Sequence, residues 1–413
     1  MIRRVGRTAI VTAVIVATSG CAFLERASTS SAPARTEAKL ASDAPSLSAS
    51  GRWVAFASED SHLVANDTNA ASDVFVHDNV TGATERVSTD GGGAQANGVS
   101  SEPSISDDGR YVAFTSTADL APDGNDNGAH DVFVKDRITG AVTVASVGEV
   151  GAAEDAPTAA PASFPVLSGD GRSVAFQTSR FRQVPDTPPI GAIPFGPYVR
   201  DLDAATTTLL PGPSLQNFGV VTAYDLSDDG GRIVYQEVDP ASGFRATTTT
   251  ATVDPVATFG VVESHPTSPL GPFPPSAVAI SGDGTRYAVI ANPTSGEATR
   301  YLGSVSDPTH PDEVATMPVA PAVFLSTDGA TVGWETTLFA GPIVVVRSPG
   351  HDPEIVTRSS DGKRIANGRQ GAMSADGRFV AFVSTDPALV ADDQNGVADV
   401  FTRGVSAEAG KPS

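Results

Sequence analysis

A chain of 413 residues, 40% of them hydrophobic, is long enough for one large core or two ordinary ones. Its 40 glycines and 31 prolines suit a fold with many turns and argue against a helical bundle. A formal charge of −21, with no basic run past the N-terminus, excludes nucleic acid as a partner, and a single cysteine excludes an intrachain disulfide or multi-cysteine zinc site.

The chain opens on a basic start (Arg3, Arg4, Arg7) and an apolar stretch from Thr8 to Ala17. That stretch is shorter than the ~20 residues a bilayer span takes, and it suits a secretory leader over residues 1–20. The leader ends in Thr18-Ser19-Gly20-Cys21 and resembles a bacterial lipoprotein signal, with Thr18 where that family usually has Leu. The resemblance implies cleavage before Cys21 and lipid attachment at its thiol. The protein would then be anchored on the extracytoplasmic side of a bacterial membrane, touching the membrane only through that lipid. An ordinary secretory leader with an incidental cysteine is the alternative. Residues 21–35, rich in Ala, Ser and Thr, read as a flexible tether.

One phrase then recurs: an aliphatic residue, Ser, a variable residue, usually Asp-Gly, then an apolar strand. The copies start at Leu47, Ile105, Leu167, Leu226, Ile280, Leu325 and Met373, with a mean spacing of about 54 residues. Asp-Gly (Ser50-Gly51 in the first copy) supplies a hairpin turn between β-branched and aromatic flanks. A third strand follows at Asp73-Val74-Phe75-Val76, Asp131-Val132-Phe133-Val134 and Asp399-Val400-Phe401, then a Thr-Gly turn and a fourth strand such as Thr84–Ser88. Four short strands per unit are the signature of a β-propeller blade.

These repeats resemble the TolB-type, WD-like propeller repeat of exported bacterial proteins. The resemblance implies an all-β, seven-bladed β-propeller of four-stranded antiparallel blades over residues 36–403, with a disordered tail at 404–413. A six-bladed ring is the alternative, because the middle units lose the Asp-Val-Phe strand. The last unit lacks a fourth strand. Residues 36–42 (TEAKLAS) look like Thr84–Ser88, so they are expected to complete the last blade and close the ring.

In such a ring the short Asp-Gly and Thr-Gly turns share one face and the long loops the other, where function usually lives. Three long loops share a pattern: Asp67, Asn69 and Asp73; Asn125, Asn127 and Asp131; Asp393, Asn395 and Asp399. Oxygen ligands at this spacing could wrap a hard cation such as calcium, or could simply form Asx turns that start the third strand. No cofactor is required by the sequence. The six histidines show no metal-ligand spacing, and no Gly-x-Ser-x-Gly elbow is present. The apolar loop 178–197 reads either as a contact surface or as a cap on its own blade. The expectation is a monomeric, non-enzymatic scaffold binding an envelope protein, peptide or glycan. The rival is a lyase or glycoside hydrolase working in the central channel, which predicts carboxylates with perturbed pKa values near the axis.

Overall fold

A computed structural model of the protein shows an all-β ring. It describes residues 23–31, 35–121, 129–147, 161–178, 196–210, 220–239, 245–253, 257–265, 277–291, 297–307, 311–318, 321–338, 341–405 and 412. Among them are 28 strands in seven four-stranded antiparallel sheets. An N-terminal strand, β1, spans Leu24–Arg26. Blade 1 is β2 to β5 (Ser42–Leu47, Trp53–Ser58, Asp73–Asp78, Thr84–Arg86), and blade 2 is β6 to β9 (Ser100–Ile105, Tyr111–Ser116, Asp131–Asp136, Val142–Val144). Blade 3 is β10 to β13 (Ser163–Leu167, Ser173–Thr178, Gly196–Asp201, Thr206–Leu209), and blade 4 is β14 to β17 (Val220–Leu226, Arg232–Asp239, Arg245–Thr252, Ala257–His265). Blade 5 is β18 to β21 (Ala277–Ile280, Arg286–Ala291, Glu297–Ser304, Glu313–Pro318), and blade 6 is β22 to β25 (Val323–Leu325, Val332–Leu338, Gly341–Arg347, Glu354–Ile355). Blade 7 is β26 to β28 (Arg369–Met373, Phe379–Ser384, Asp399–Gly404), with β1 as its outer strand.

The repeated phrase forms the hairpin between the first two strands of each blade, and one clasp explains its composition. Ser106 Oγ donates to Asp108 Oδ1 (2.7 Å) and accepts from the Tyr111 amide (2.9 Å). Asp108 Oδ1 also accepts from the Arg110 amide (2.8 Å), and Gly109 turns the chain at a φ of +71°. The same clasp recurs at Ser168, Ser227, Ser281, Ser326 and Ser374. The variable residue of the phrase bonds around the axis. Backbone amides of Ala49, Asp107, Asp170, Asp228, Asp283, Thr327 and Asp376 donate to the carbonyls of Asp107, Gly169, Asp228, Gly282, Thr327, Ala375 and Ala49. That circuit visits all seven blades and returns to its start.

Between blades the core is aromatic and aliphatic. Register-paired rings stack within blades 1, 2, 3 and 7: Phe56 on Phe75, Phe114 on Phe133, Phe176 on Tyr198 and Phe382 on Phe401, with centroids 5.8–6.1 Å apart. All eight are buried, each worth about 1.5–3 kcal/mol by transfer of its side chain from water.

The ring closes elsewhere than expected. Residues 36–42 do not form the outer strand of blade 7, and residues 21–35 are not all tether. Strand β1 pairs with β28 through Leu24↔Arg403, Glu25↔Thr402 and Arg26↔Phe401. The reason is a closer repeat: Glu25-Arg26-Ala27-Ser28-Thr29 matches Glu85-Arg86-Val87-Ser88-Thr89. Ser28 Oγ donates to Asp399 Oδ1 (2.5 Å) and accepts from the Val400 amide (3.1 Å). Ser88 does the same with Asp73 (2.5 Å) and Val74 (3.2 Å). Glu37 returns only as an isolated bridge to Thr29, as Gln95 does to Thr89, and Ser42 already belongs to β2.

Candidate functional site

The polar long loops of blades 1 and 7 are superimposable in their bonding. Asn69 Nδ2 donates to Asp73 Oδ2 and to the Ala96 carbonyl (both 3.1 Å), while Asn69 Oδ1 accepts from the Ala71 amide (3.1 Å). Asn395 repeats this with Asp399 (2.7 Å), Ala38 (2.7 Å) and the Val397 amide (3.0 Å). Positive charge comes from the chain itself. Arg86 lies 3.6 Å from Asp67 and 3.8 Å from Asp73, and Arg26 lies 3.8 Å from Asp393 and 2.9 Å from Glu37. Burial pushes the Asp399 carboxyl up to about 6, against the donation of Ser28. This bonding matches the Asx-turn reading of the loops. Among the described residues no group of three His, Cys, Asp or Glu is placed to hold a metal ion. Asn125 and Asn127 lie outside the described residues, as do Cys21, the leader and residues 179–195 of the apolar loop. Asp131 is described: it accepts from Ser146 Oγ (2.7 Å), as its counterparts accept from Ser88 and Ser28.

The first strands of the blades contact one another around the axis and form the channel wall. Near the long-loop mouth four of them carry a bulge, with a non-glycine residue at positive φ: Ala44 (50°), Glu102 (55°), Phe164 (56°) and Gln370 (54°). In three cases proline follows, and the bulge accommodates its missing donor on an inner edge strand. The bulges are tied across blades. Gln370 Oε1 accepts from the Ala44 amide (3.2 Å), and Glu102 Oε2 accepts from the Phe164 amide (2.8 Å) and from Thr115 Oγ1 (2.9 Å). Tyr224 OH donates to the Phe164 carbonyl. Phe164 itself is 57% exposed. At the same mouth Asp43 feels the charges of Arg369, Glu59 and Glu102. Desolvation holds the Asp43 carboxyl up against the pull of Arg369, and Glu59 and Glu102 raise it further.

Three further carboxylates lie toward the turn face of the channel, and none was singled out by sequence. Asp225 accepts from the amides of Ile280 (2.9 Å) and Leu226 (3.0 Å), and burial still pushes it up to about 7. Burial and the neighbouring charge of Asp228 push Asp107 up to about 6. Asp228 is also raised by burial, although Thr327 Oγ1 donates to it at 2.9 Å. Asp225 stands where blades 1 and 2 have Ser46 and Ser104, whose hydroxyls accept the equivalent amides of Ile105 (3.1 Å) and Leu167 (3.0 Å). Its geometry is that of an inter-blade tie, and the departure from Ser is the sequence signal that could have found it. Two of the histidines lie off the channel wall: His62 Nδ1 is 2.8 Å from Asp60 in a loop, and His77 is buried 2.8 Å from Thr84.

No protein-family model matches the chain, and no curated protein matches it. Solved structures do match. Oligogalacturonate lyase from Vibrio parahaemolyticus aligns at 12% identity with a TM-score of 0.54, covering 93% of this chain and 97% of the lyase. The β-propeller domain of the Trilobed protease from Pyrococcus furiosus aligns at 10% identity and a TM-score of 0.52, covering 89% and 96%. TolB from Acinetobacter baumannii aligns at 15% identity and a TM-score of 0.40; 68% of this chain is covered, and it spans about half of TolB (54%). The likeness is one of fold alone. The Pyrococcus domain is described as having an open velcro topology, whereas here β1 and β28 close the ring.

Proposed function

We propose that this protein is an exported, lipid-anchored β-propeller that acts as a monomeric, non-enzymatic binding scaffold for a protein, peptide or glycan at the cell envelope. The observation that carries this reading is the long-loop mouth of the channel. There, the bulges of blades 2 and 3 are tied to each other and hold an exposed Phe164 against Glu102, and those of blades 1 and 7 are tied through Gln370. An exposed aromatic whose backbone is tied to a carboxylate suits recognition by shape and polar complementarity. Anchoring at Cys21, three residues before β1, would place the long loops away from the bilayer, because β1 starts beside Arg403, at the turn-face end of β28. The test is capture of envelope components on immobilised protein, with Phe164→Ala and Glu102→Gln beside the unchanged chain. Specific ligands should be retained by the parent and lost by both variants. Equal retention by all three would contradict the reading.

The rival reading, a propeller lyase or glycoside hydrolase, is favoured by one observation: the channel wall carries the carboxylates Asp107, Asp225 and Asp228, and burial favours the protonated form of each. Turnover of a galacturonate oligomer that disappears in Asp225→Asn would support it.

A further inference from the structure

Grooves between neighbouring blades on the turn face are built from equivalent positions, so one can be read against the next. Between blades 1 and 2, Arg137 from the β8–β9 turn lies 4.2 Å from the Trp53 ring centroid. It donates to the Glu85 carboxylate and to the Gly109 carbonyl. Arg52 lies 4.6 Å from the same ring and grips Asp78 with two bonds (3.1 and 2.9 Å). The strand registers place the next groove in the same frame: Tyr111 for Trp53, Arg110 for Arg52, Asp136 for Asp78, Thr143 for Glu85 and Gly171 for Gly109. Arg110 keeps its role, 4.7 Å from the Tyr111 ring and bound to Asp136 at 3.1 and 2.7 Å. Gly171 keeps its role too, at a φ of +74°, where a Cβ would come 2.4 Å from Tyr111. Three positions differ: Tyr111 replaces Trp53, Thr143 replaces Glu85, and a leucine replaces Arg137. Leu202 stands where Arg137 stands, as the pairings Asp201↔Thr206 and Arg200↔Thr207 fix.

The consequence is a cavity of about 420 Å³ between blades 2 and 3, bounded among others by Tyr111, Thr143, Asp108, Asp170, Leu202 and Asp203. Its lining holds Asp108, Asp136, Asp170 and Asp203 against Arg110 and Arg172, a net negative wall. We propose that this groove binds the guanidinium group of an arginine side chain presented by a partner polypeptide, stacked on Tyr111 and bonded to the Asp108 and Asp170 carboxylates and the Gly171 carbonyl. The chain's own Arg137 is the pattern for the ring and carbonyl contacts, and the Asp108 and Asp170 carboxylates would take the part that Glu85 plays for Arg137. Turn-glycine carbonyls elsewhere in the ring also receive a side-chain donor. Asn79 Nδ2 bonds Gly51 (2.8 Å) and an Arg232 terminal nitrogen bonds Gly284 (2.8 Å), whereas Leu202 has no donor to offer Gly171. A planar guanidinium matches a ring face, a carbonyl and paired carboxylates together, which an ammonium does not. This site is on the face opposite the long loops, and its failure leaves the scaffold reading untouched.

The test is calorimetric titration of the full chain with Nα-acetyl-arginine amide and, separately, Nα-acetyl-lysine amide. The arginine amide should bind saturably and about tenfold more tightly than the lysine amide. Leu202→Arg should fill the groove with its own guanidinium and lose the binding, while Thr143→Glu, which supplies the counterpart of Glu85, should strengthen it several-fold. If circular dichroism shows that Leu202→Arg does not fold, Tyr111→Ala replaces it, and binding should again be lost. No saturable binding by the parent chain, equal binding of the two amides, or undiminished binding by a folded blocking variant would overturn the proposal.

Discussion

Ser28, Ser88 and Ser146 each join the end of a fourth strand to the start of a third, through a buried carboxylate and a buried amide. Removing one hydroxyl leaves both partners short of a bond in a site that water does not reach. Ser88→Ala should therefore cost about 1–3 kcal/mol in urea denaturation, more than a surface serine would. The buried carboxyls also set the response to pH. Asp225, Asp107 and Asp399 have folded-state values of about 7, 6 and 6, above the unfolded value of 3.8. The folded chain thus binds these protons more tightly than the unfolded chain, so stability is lost as pH rises through 6 to 7 and is regained on acidification. Asp136 works oppositely: Arg110 holds it well below the usual carboxylate range, and its contribution is lost only in strong acid. Melting temperature should rise from about pH 8 to about pH 5.5 and fall below about pH 4, and Asp225→Asn should flatten the rise. A melting temperature that climbs steadily from pH 5.5 to pH 8 would contradict this assignment.

At the scale of elements, β1 matters most for its length. Three residues cover the outer edge of β28, and Ala27 and Gly404 extend the ladder through backbone bonds to Val400 (2.7 Å) and Phe23 (2.8 Å). A chain starting at Ala22 should fold as a monomer. One starting at Thr36 should melt several degrees lower or associate through the bared edge, as sedimentation would show. The bulges carry a smaller cost. Ala44 adopts a φ of +50° with only a methyl group to show for it, so Ala44→Gly should be neutral or stabilising by up to about 1 kcal/mol in thermal melts. The Asx loops of blades 1 and 7 have Arg86 and Arg26 where a cation would stand. If the Asx bonding alone shapes these loops, adding calcium or a chelator should leave the melting temperature unchanged; a shift of several degrees would support the calcium reading.

At the scale of the molecule, the ring and its seven blades were legible because the Ser-x-Asp-Gly hairpin is a local device, dictated by residues within one short segment. Closure was harder. It joins residues near 25 to residues near 402, and Glu25–Thr29 and Thr36–Ser42 both resemble a fourth strand. Only the serine that reaches Asp399 distinguishes them. The channel carboxylates were hidden for another reason: Asp107 and Asp228 look like turn residues, and only closing the circle brings them near one another. The groove beside Tyr111 is visible only when one blade junction is laid over the next. Closure of the ring rests on the pairing of β1 with β28, and amide hydrogen exchange measures it directly. The amides of Glu25 and Ala27, which face β28, should exchange as slowly as those of 400–404. Exchange of Glu25 and Ala27 at the rate of an unstructured chain, while 400–404 stay protected, would contradict it.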